Sequence, residues 1–117
     1  MSVEDKYPFR YFLPIGCSLI KTIPIKNNSL VGLTLSILAV NPITSECLWK
    51  KLHKCYKRIN QKIVEVEGMD DLEFGKVLNL YFFNAVFRNE IRIMVKNSDC
   101  HIILINGSVK VERLEWN

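Results

Sequence analysis

Apolar residues occupy the odd positions from Tyr7 to Ile25: Tyr7, Phe9, Tyr11, Leu13, Ile15, Cys17, Leu19, Ile23 and Ile25, with Lys21 the one break. A period of two marks an extended chain with one buried face. Pro8, Pro14 and Pro24 cannot donate to a neighbouring strand, so this stretch is predicted to be an edge strand, a bent one, or two short pieces. Asn27-Asn28-Ser29 is turn chemistry. Alternation then resumes from Leu30 to Val40, with Val31, Leu33, Leu35 and Ile37 on one face and Gly32, Thr34 and Ser36 on the other, the clearest strand in the chain.

Asn41-Pro42 ends that strand. Thr44 or Ser45 can cap a helix, with Glu46 favourable in its first turn. Leu48, Leu52, Cys55, Ile59 and Ile63, flanked by Trp49 and Tyr56, follow at three- and four-residue steps, and predict a helix over Ser45 to Ile63. Val64 to Glu67 alternates, and Gly68 to Asp71 is a turn. From Leu72 to Phe87 the pattern serves two elements. Phe74, Val77, Leu78, Tyr81, Phe82 and Ala85 fit a helix with Asp70 and Glu73 as a cap pair, whereas Gly75 and the aromatic content favour a strand; helix is the preferred reading. Ile91, Ile93 and Val95 alternate again, Asn97-Ser98-Asp99 turns, Cys100 to Ile105 is an apolar run, and Asn106-Gly107 is a strong hairpin signal. Ser108 to Leu114 completes a three-stranded meander. The expected architecture is α+β: a twisted, mainly antiparallel sheet of five or six strands covered by one or two helices.

Composition narrows the function classes. With 117 residues, 49% hydrophobic and 24% charged, residues 1–117 are expected to fold as a single domain with one core. The longest nearly uncharged run, Asn27 to Thr44, is too polar and its apolar centre too short for a membrane-spanning helix. The first residues do not read as a signal peptide, so a cytoplasmic protein is expected, peripheral at most to a membrane. Cys17, Cys47, Cys55 and Cys100 are scattered and are expected to be reduced and mostly buried. Neither His53 with Cys47 and Cys55, nor His101 beside Cys100, has metal-ligand spacing. No phosphate-cradling glycine motif is present. These absences leave no catalytic, cofactor-binding or metal residue to name, no cofactor and no small-molecule substrate, and the chain is read as a non-enzyme that works by binding.

Charge supplies the candidate sites. The predicted helix carries Lys50, Lys51, Lys54, Lys57, Arg58 and Lys62 against Glu46 alone, in a chain of net charge +4. The segment after it carries Glu65, Glu67, Asp70, Asp71 and Glu73 with no cation. A basic helix face can meet the phosphates of nucleic acid or anionic lipid, and it can equally be the solvated side of a packed helix. Tyr7, Phe9, Tyr11 and Phe12 at one end of the chain and Trp116 at the other are candidates for self-association, or for pinning the termini onto their own core.

Taken together, the Leu30 to Val40 strand, the Asn41-Pro42 break, the Trp49 helix and the late hairpin around Asn106-Gly107 resemble the core of the matrix proteins of negative-strand RNA viruses. The resemblance implies a non-enzymatic viral structural protein, in host cytoplasm or virion, that forms homo-oligomers and touches anionic membrane surface or nucleoprotein through basic residues. The competing expectation is a small nucleic-acid-binding or host-protein-interaction module using the same cations.

Overall fold

The computed structural model describes residues 2–66, 72–75 and 78–116, with side chains for 4–66 and 78–116. Nine strands run along them: β1 (Ser2–Leu13), β2 (Gly16–Pro24), β3 (Ser29–Val40), β4 (Cys47–Ile59), β5 (Lys62–Val66), β6 (Leu72–Gly75), β7 (Leu80–Phe87), β8 (Glu90–Asn97) and β9 (Ile103–Glu115). They form two antiparallel sheets. The larger has the order β1-β9-β3-β4-β5, with β6 paired to one end of β4, and the smaller has the order β2-β8-β7. No described residue is helical. The α+β expectation, a sheet of five or six strands under one or two helices, is therefore overturned: the protein is an all-β sandwich, 51 × 23 × 23 Å.

Alternation places the core between the sheets. Val31, Leu33, Leu35, Ile37 and Ala39 of β3 and Ile103, Ile105, Val109 and Val111 of β9 face Ile23 of β2 and Ile91, Ile93 and Val95 of β8, all buried. Each β-branched side chain fits a pleated surface well and packs across the gap between layers.

The segment expected as a basic helix is the hairpin β4–β5. Its turn, Asn60-Gln61, has positive φ at both residues (54° and 63°), the two-residue geometry that matches strand twist. Helical spacing misled here because Leu48, Leu52 and Tyr56 lie four apart, and a multiple of four is also a multiple of two. The inward positions between them hold Lys50 and Lys54, whose long stems cross apolar surface and reach water beside β7. Likewise Leu72 to Phe87 holds β6 and β7 rather than a helix, so its aromatics were the better guide. The turn expected over 68–71 and the side chains of the proposed cap pair lie outside the described residues.

Asn106-Gly107 makes no hairpin, because β9 runs unbroken through it between β1 and β3. Glycine is needed for a different reason. A Cβ at Gly107 would collide with the backbone carbonyl oxygen of Ser36 and lie 3.1 Å from the Phe9 ring. Here the dipeptide marks a close approach of two backbones inside a sheet.

Candidate interaction surfaces

Converting the basic helix into a strand divides its cations between two faces. Lys50, Lys54 and Arg58 point inward, whereas Lys51 and Lys57 alternate onto the outer face. Lys62 opens β5. Arg58 is structural: its Nη1 donates to the Ile25 carbonyl at 2.6 Å, and its Nε is buried with no partner. Lys54 lies 3.6 Å from Glu65 on the neighbouring strand. The six residues therefore do not form one anion-binding surface.

The aromatic candidates are also divided. Tyr7 and Phe9 face inward from β1 and pack against the core. Lys21 sits 4.2 Å from the centre of the Tyr7 ring. Tyr11 stacks on Phe9 at 5.7 Å and reaches the Ile20 carbonyl through its hydroxyl. Phe12 is 68% exposed on the opposite side of β1. Trp116 follows β9, and its backbone N–H donates to the Asn28 carbonyl.

Two apolar patches that the sequence reading did not single out lie on the outer faces of the sandwich. Strand register sets the outer face of the large sheet in rows across β4, β3, β9 and β1. The first row is Cys47, Val40, Leu104 and Phe12; the second is Trp49, Leu38, Asn106 and Arg10; the third is Lys51, Ser36, Ser108 and Pro8. All of the first two rows except Phe12 line an open groove of about 570 Å³, mostly apolar, with Arg10 and Asn106 as its polar side chains. On the other side of the sandwich, Tyr81, Phe83 and Phe87 form a ridge along β7, beside Met94 of β8 and Leu19 of β2. Tyr81 and Phe83 stack at 5.6 Å, and the Arg92 guanidinium lies 4.2 Å from the centre of the Phe87 ring. A multiple-of-two count on 81, 83 and 87 could have found this ridge, but the helical reading of the segment hid it.

The sheets are joined by a polar contact near β7, where Asn84 Nδ2 donates to the Tyr56 hydroxyl at 3.0 Å. Burial raises the Tyr56 phenol above its ordinary value; the Asn84 bond acts against that shift and the nearby Glu65 charge adds to it. The neutral phenol is thus favoured by folding. Its contribution is complete below the unfolded value near 10 and is lost as pH rises through the higher folded value. Denaturation midpoints are expected to fall above about pH 10, and Tyr56→Phe to flatten that alkaline fall while costing about 1 kcal/mol at neutral pH for the lost bond. An unchanged alkaline profile in the variant would remove Tyr56 as the cause.

At the end of the sandwich where β1, β3 and β8 finish, two buried asparagines tie the loops together. Asn97 Nδ2 donates to the carbonyls of Leu13 and His101, both at 3.1 Å, and Asn97 Oδ1 accepts from Asp99 N–H. Asn41 Oδ1 accepts from the N–H groups of Ile43 and Thr44, which turns its Nδ2 toward His101 Nδ1 at 3.2 Å and Asp99 Oδ1 at 3.4 Å. His101 Nδ1 and Asp99 Oδ1 are 3.8 Å apart. No group of three metal-binding side chains occurs among the described residues. All four cysteines are free, but Cys17, Cys47 and Cys100 are exposed, contrary to the expectation of mostly buried thiols; Cys55 is half-buried, and burial raises its thiol pKa. Alternation puts Cys47 and Cys55 on the outer face of β4.

No protein-family model matches the chain, and no curated protein matches it. Among solved structures it is similar to a tailspike protein, gp49 from Acinetobacter baumannii bacteriophage Fri1, a capsular polysaccharide depolymerase, with 7% identity and a TM-score of 0.47. The match covers 95% of this chain and 17% of that one, and at this distance it carries neither fold nor activity across. No described helix is long and apolar enough to cross a membrane.

Proposed function

We propose that the protein is a non-enzymatic, self-assembling module in which the aromatic ridge of one copy enters the outer-face groove of the next. The observation that carries this reading is the pairing of unlike apolar surfaces on opposite sides of one sandwich: Tyr81, Phe83 and Phe87 on the small sheet, Leu38, Val40, Leu104 and Trp49 on the large one. The outer face of a sandwich is ordinarily polar, and a contiguous apolar patch there marks a binding surface. A second copy is the favoured occupant because each chain brings both halves of the contact. Two unlike patches give a head-to-tail interface, which propagates to a closed ring or a filament.

Sedimentation velocity across the micromolar range tests this. Wild type is expected to run well above its 13.6 kDa monomer mass. Phe83→Asp on the ridge and Leu38→Asp in the groove are each expected to give monomer, with melting curves showing that both stay folded. An equimolar mixture of the two variants retains one intact ridge and one intact groove, so it should recover a dimer and nothing larger. Wild-type monomer throughout the range would overturn the proposal, and variants that assemble like wild type would remove the ridge and groove from it.

A further inference from the structure

Every hydrophobic side chain with more than half of its surface in water raises the question of what covers it, and the end of the sandwich tied by Asn41 and Asn97 concentrates such residues. Three loops meet there: 14–15 between β1 and β2, 41–46 between β3 and β4, and 98–102 between β8 and β9. Each holds one large aliphatic residue, and each of these is turned outward: Ile15 is 63% exposed, Ile43 71% and Ile102 54%. Single exposed apolar residues are ordinary on a protein surface. Three on separate loops, at one end of a molecule 51 Å long, are a shared feature of that end.

A second observation bears on the medium these loops suit. Seven backbone donors in two of these loops are satisfied within the protein. The N–H groups of Ile43 and Thr44 donate to Asn41 Oδ1, that of Ser45 to the Asn41 carbonyl, and that of Glu46 to Thr44 Oγ1. In the other loop Ser98 donates to the Asn79 carbonyl, Asp99 to Asn97 Oδ1, and Cys100 to Asp99 Oδ1. Bonds closed within the protein keep those donors paired when the segment leaves water, as a segment entering an apolar phase requires.

The neighbouring residues complete the pattern. Trp49 lies in the second row of the large sheet, and Tyr81 is paired with Lys96 one position from the end of the small sheet. Arg10 shares the row of Trp49. Amphipathic rings and long cations one step behind an apolar tip correspond to the belt that sits at the headgroup level of a bilayer.

We propose that this end docks on a lipid bilayer, with Ile15, Ile43 and Ile102 inserted to the boundary between headgroups and acyl chains and Trp49, Tyr81, Arg10 and Lys96 at the headgroup level. The bilayer is the occupant the geometry favours because the exposed isoleucines stand on three separate loops, backed by amphipathic rings and cations. A fluid phase accepts such an arrangement, whereas a protein partner must supply three matching recesses. The contact is peripheral and crosses nothing. Its inserted residues, Ile15, Ile43 and Ile102, lie outside the ridge and groove proposed for self-assembly, whereas Trp49, Arg10 and Tyr81 border both surfaces.

Co-sedimentation of the whole protein with large vesicles tests it, using phosphatidylcholine alone and phosphatidylcholine with phosphatidylserine. Wild type is expected to pellet with both, more strongly with the anionic mixture. Each of Ile43→Asp and Ile102→Asp is expected to lower the vesicle partition coefficient about tenfold or more, the equivalent of losing one buried aliphatic side chain. Both variants should keep the wild-type sedimentation mass and melting temperature, because the changed side chains are exposed. Phe83→Asp serves as the converse control, losing assembly while each monomer still binds vesicles. Wild type that stays in the supernatant with both lipids would overturn the docking end, whatever its state of assembly. Binding confined to anionic vesicles and indifferent to the isoleucines would also overturn it, placing the contact on the cations instead.

Discussion

Gly107→Ala is expected to destabilise the protein by about 3 kcal/mol or more, a large part of the 5–15 kcal/mol that holds a typical domain folded. The added methyl group would have to occupy the space of the Ser36 carbonyl. Neither strand can yield cheaply: β3 is paired with β4 as well as β9, and β9 is held by β1 on its other side. The Phe9 ring, packed against the core, closes the remaining direction. Urea denaturation with Gly32→Ala as control makes the comparison clean, since a Cβ at Gly32 meets nothing within 4 Å. If the two variants unfold at the same urea concentration, the close approach at Gly107 is not what makes glycine necessary there.

Asn97→Ala is expected to cost about 3 kcal/mol by a different route. Three backbone groups, the carbonyls of Leu13 and His101 and the N–H of Asp99, lose their partner together, and Asn97 is only 1% exposed, so water does not readily replace it. Leaving a buried polar group unmade is more expensive than never having buried it. The loops it joins are those that carry the exposed isoleucines, so hydrogen exchange at Asp99 and Cys100 should accelerate along with the loss of stability. Loss of stability without faster exchange there would mean that Asn97 acts through packing and not through its amide.

The β3 strand was legible because its inner face is aliphatic from Val31 to Ala39 and the middle of its outer face, Gly32, Thr34 and Ser36, is small and polar. The first two strands were legible as extended chain, and the prolines marked an edge strand, β1, and the break at Pro14. The single buried face did not hold in β2: Cys17 and Leu19 point outward, Ile20 is buried, and a bulge between Leu19 and Lys21 returns Ile23 to the core. Strand β4 was not, because the sandwich leaves its flank partly uncovered. Lysines take inward positions there, and with the interleaved apolar residues gone, Leu48, Leu52 and Tyr56 are left at an interval common to helix and strand. Tertiary context decided the element, as it often does for strands. The candidate sites depended on that same element, so the supposed basic surface divided when the period changed. Of the loop isoleucines, Ile15 and Ile43 stood in the sequence as lone aliphatics among Pro14, Gly16, Pro42 and Thr44, which is a readable sign. Ile102 was absorbed into the apolar run from Cys100 to Ile105, where nothing distinguishes a loop residue from the start of a strand.

The position of β9 has a consequence for how the chain reaches this state. It is the latest strand in sequence, yet it lies inside the large sheet between β1 and β3. Until it inserts, β3 keeps one edge of backbone donors and acceptors open and β1 has no partner in the sheet. The closing step therefore joins segments about as far apart along the chain as they can be, which puts the loop-closure entropy ahead of the contacts that offset it. Slow folding, on the millisecond-to-second scale of non-local β proteins, follows from that order, with a partly built sheet whose open edge can pair with another chain in the meantime.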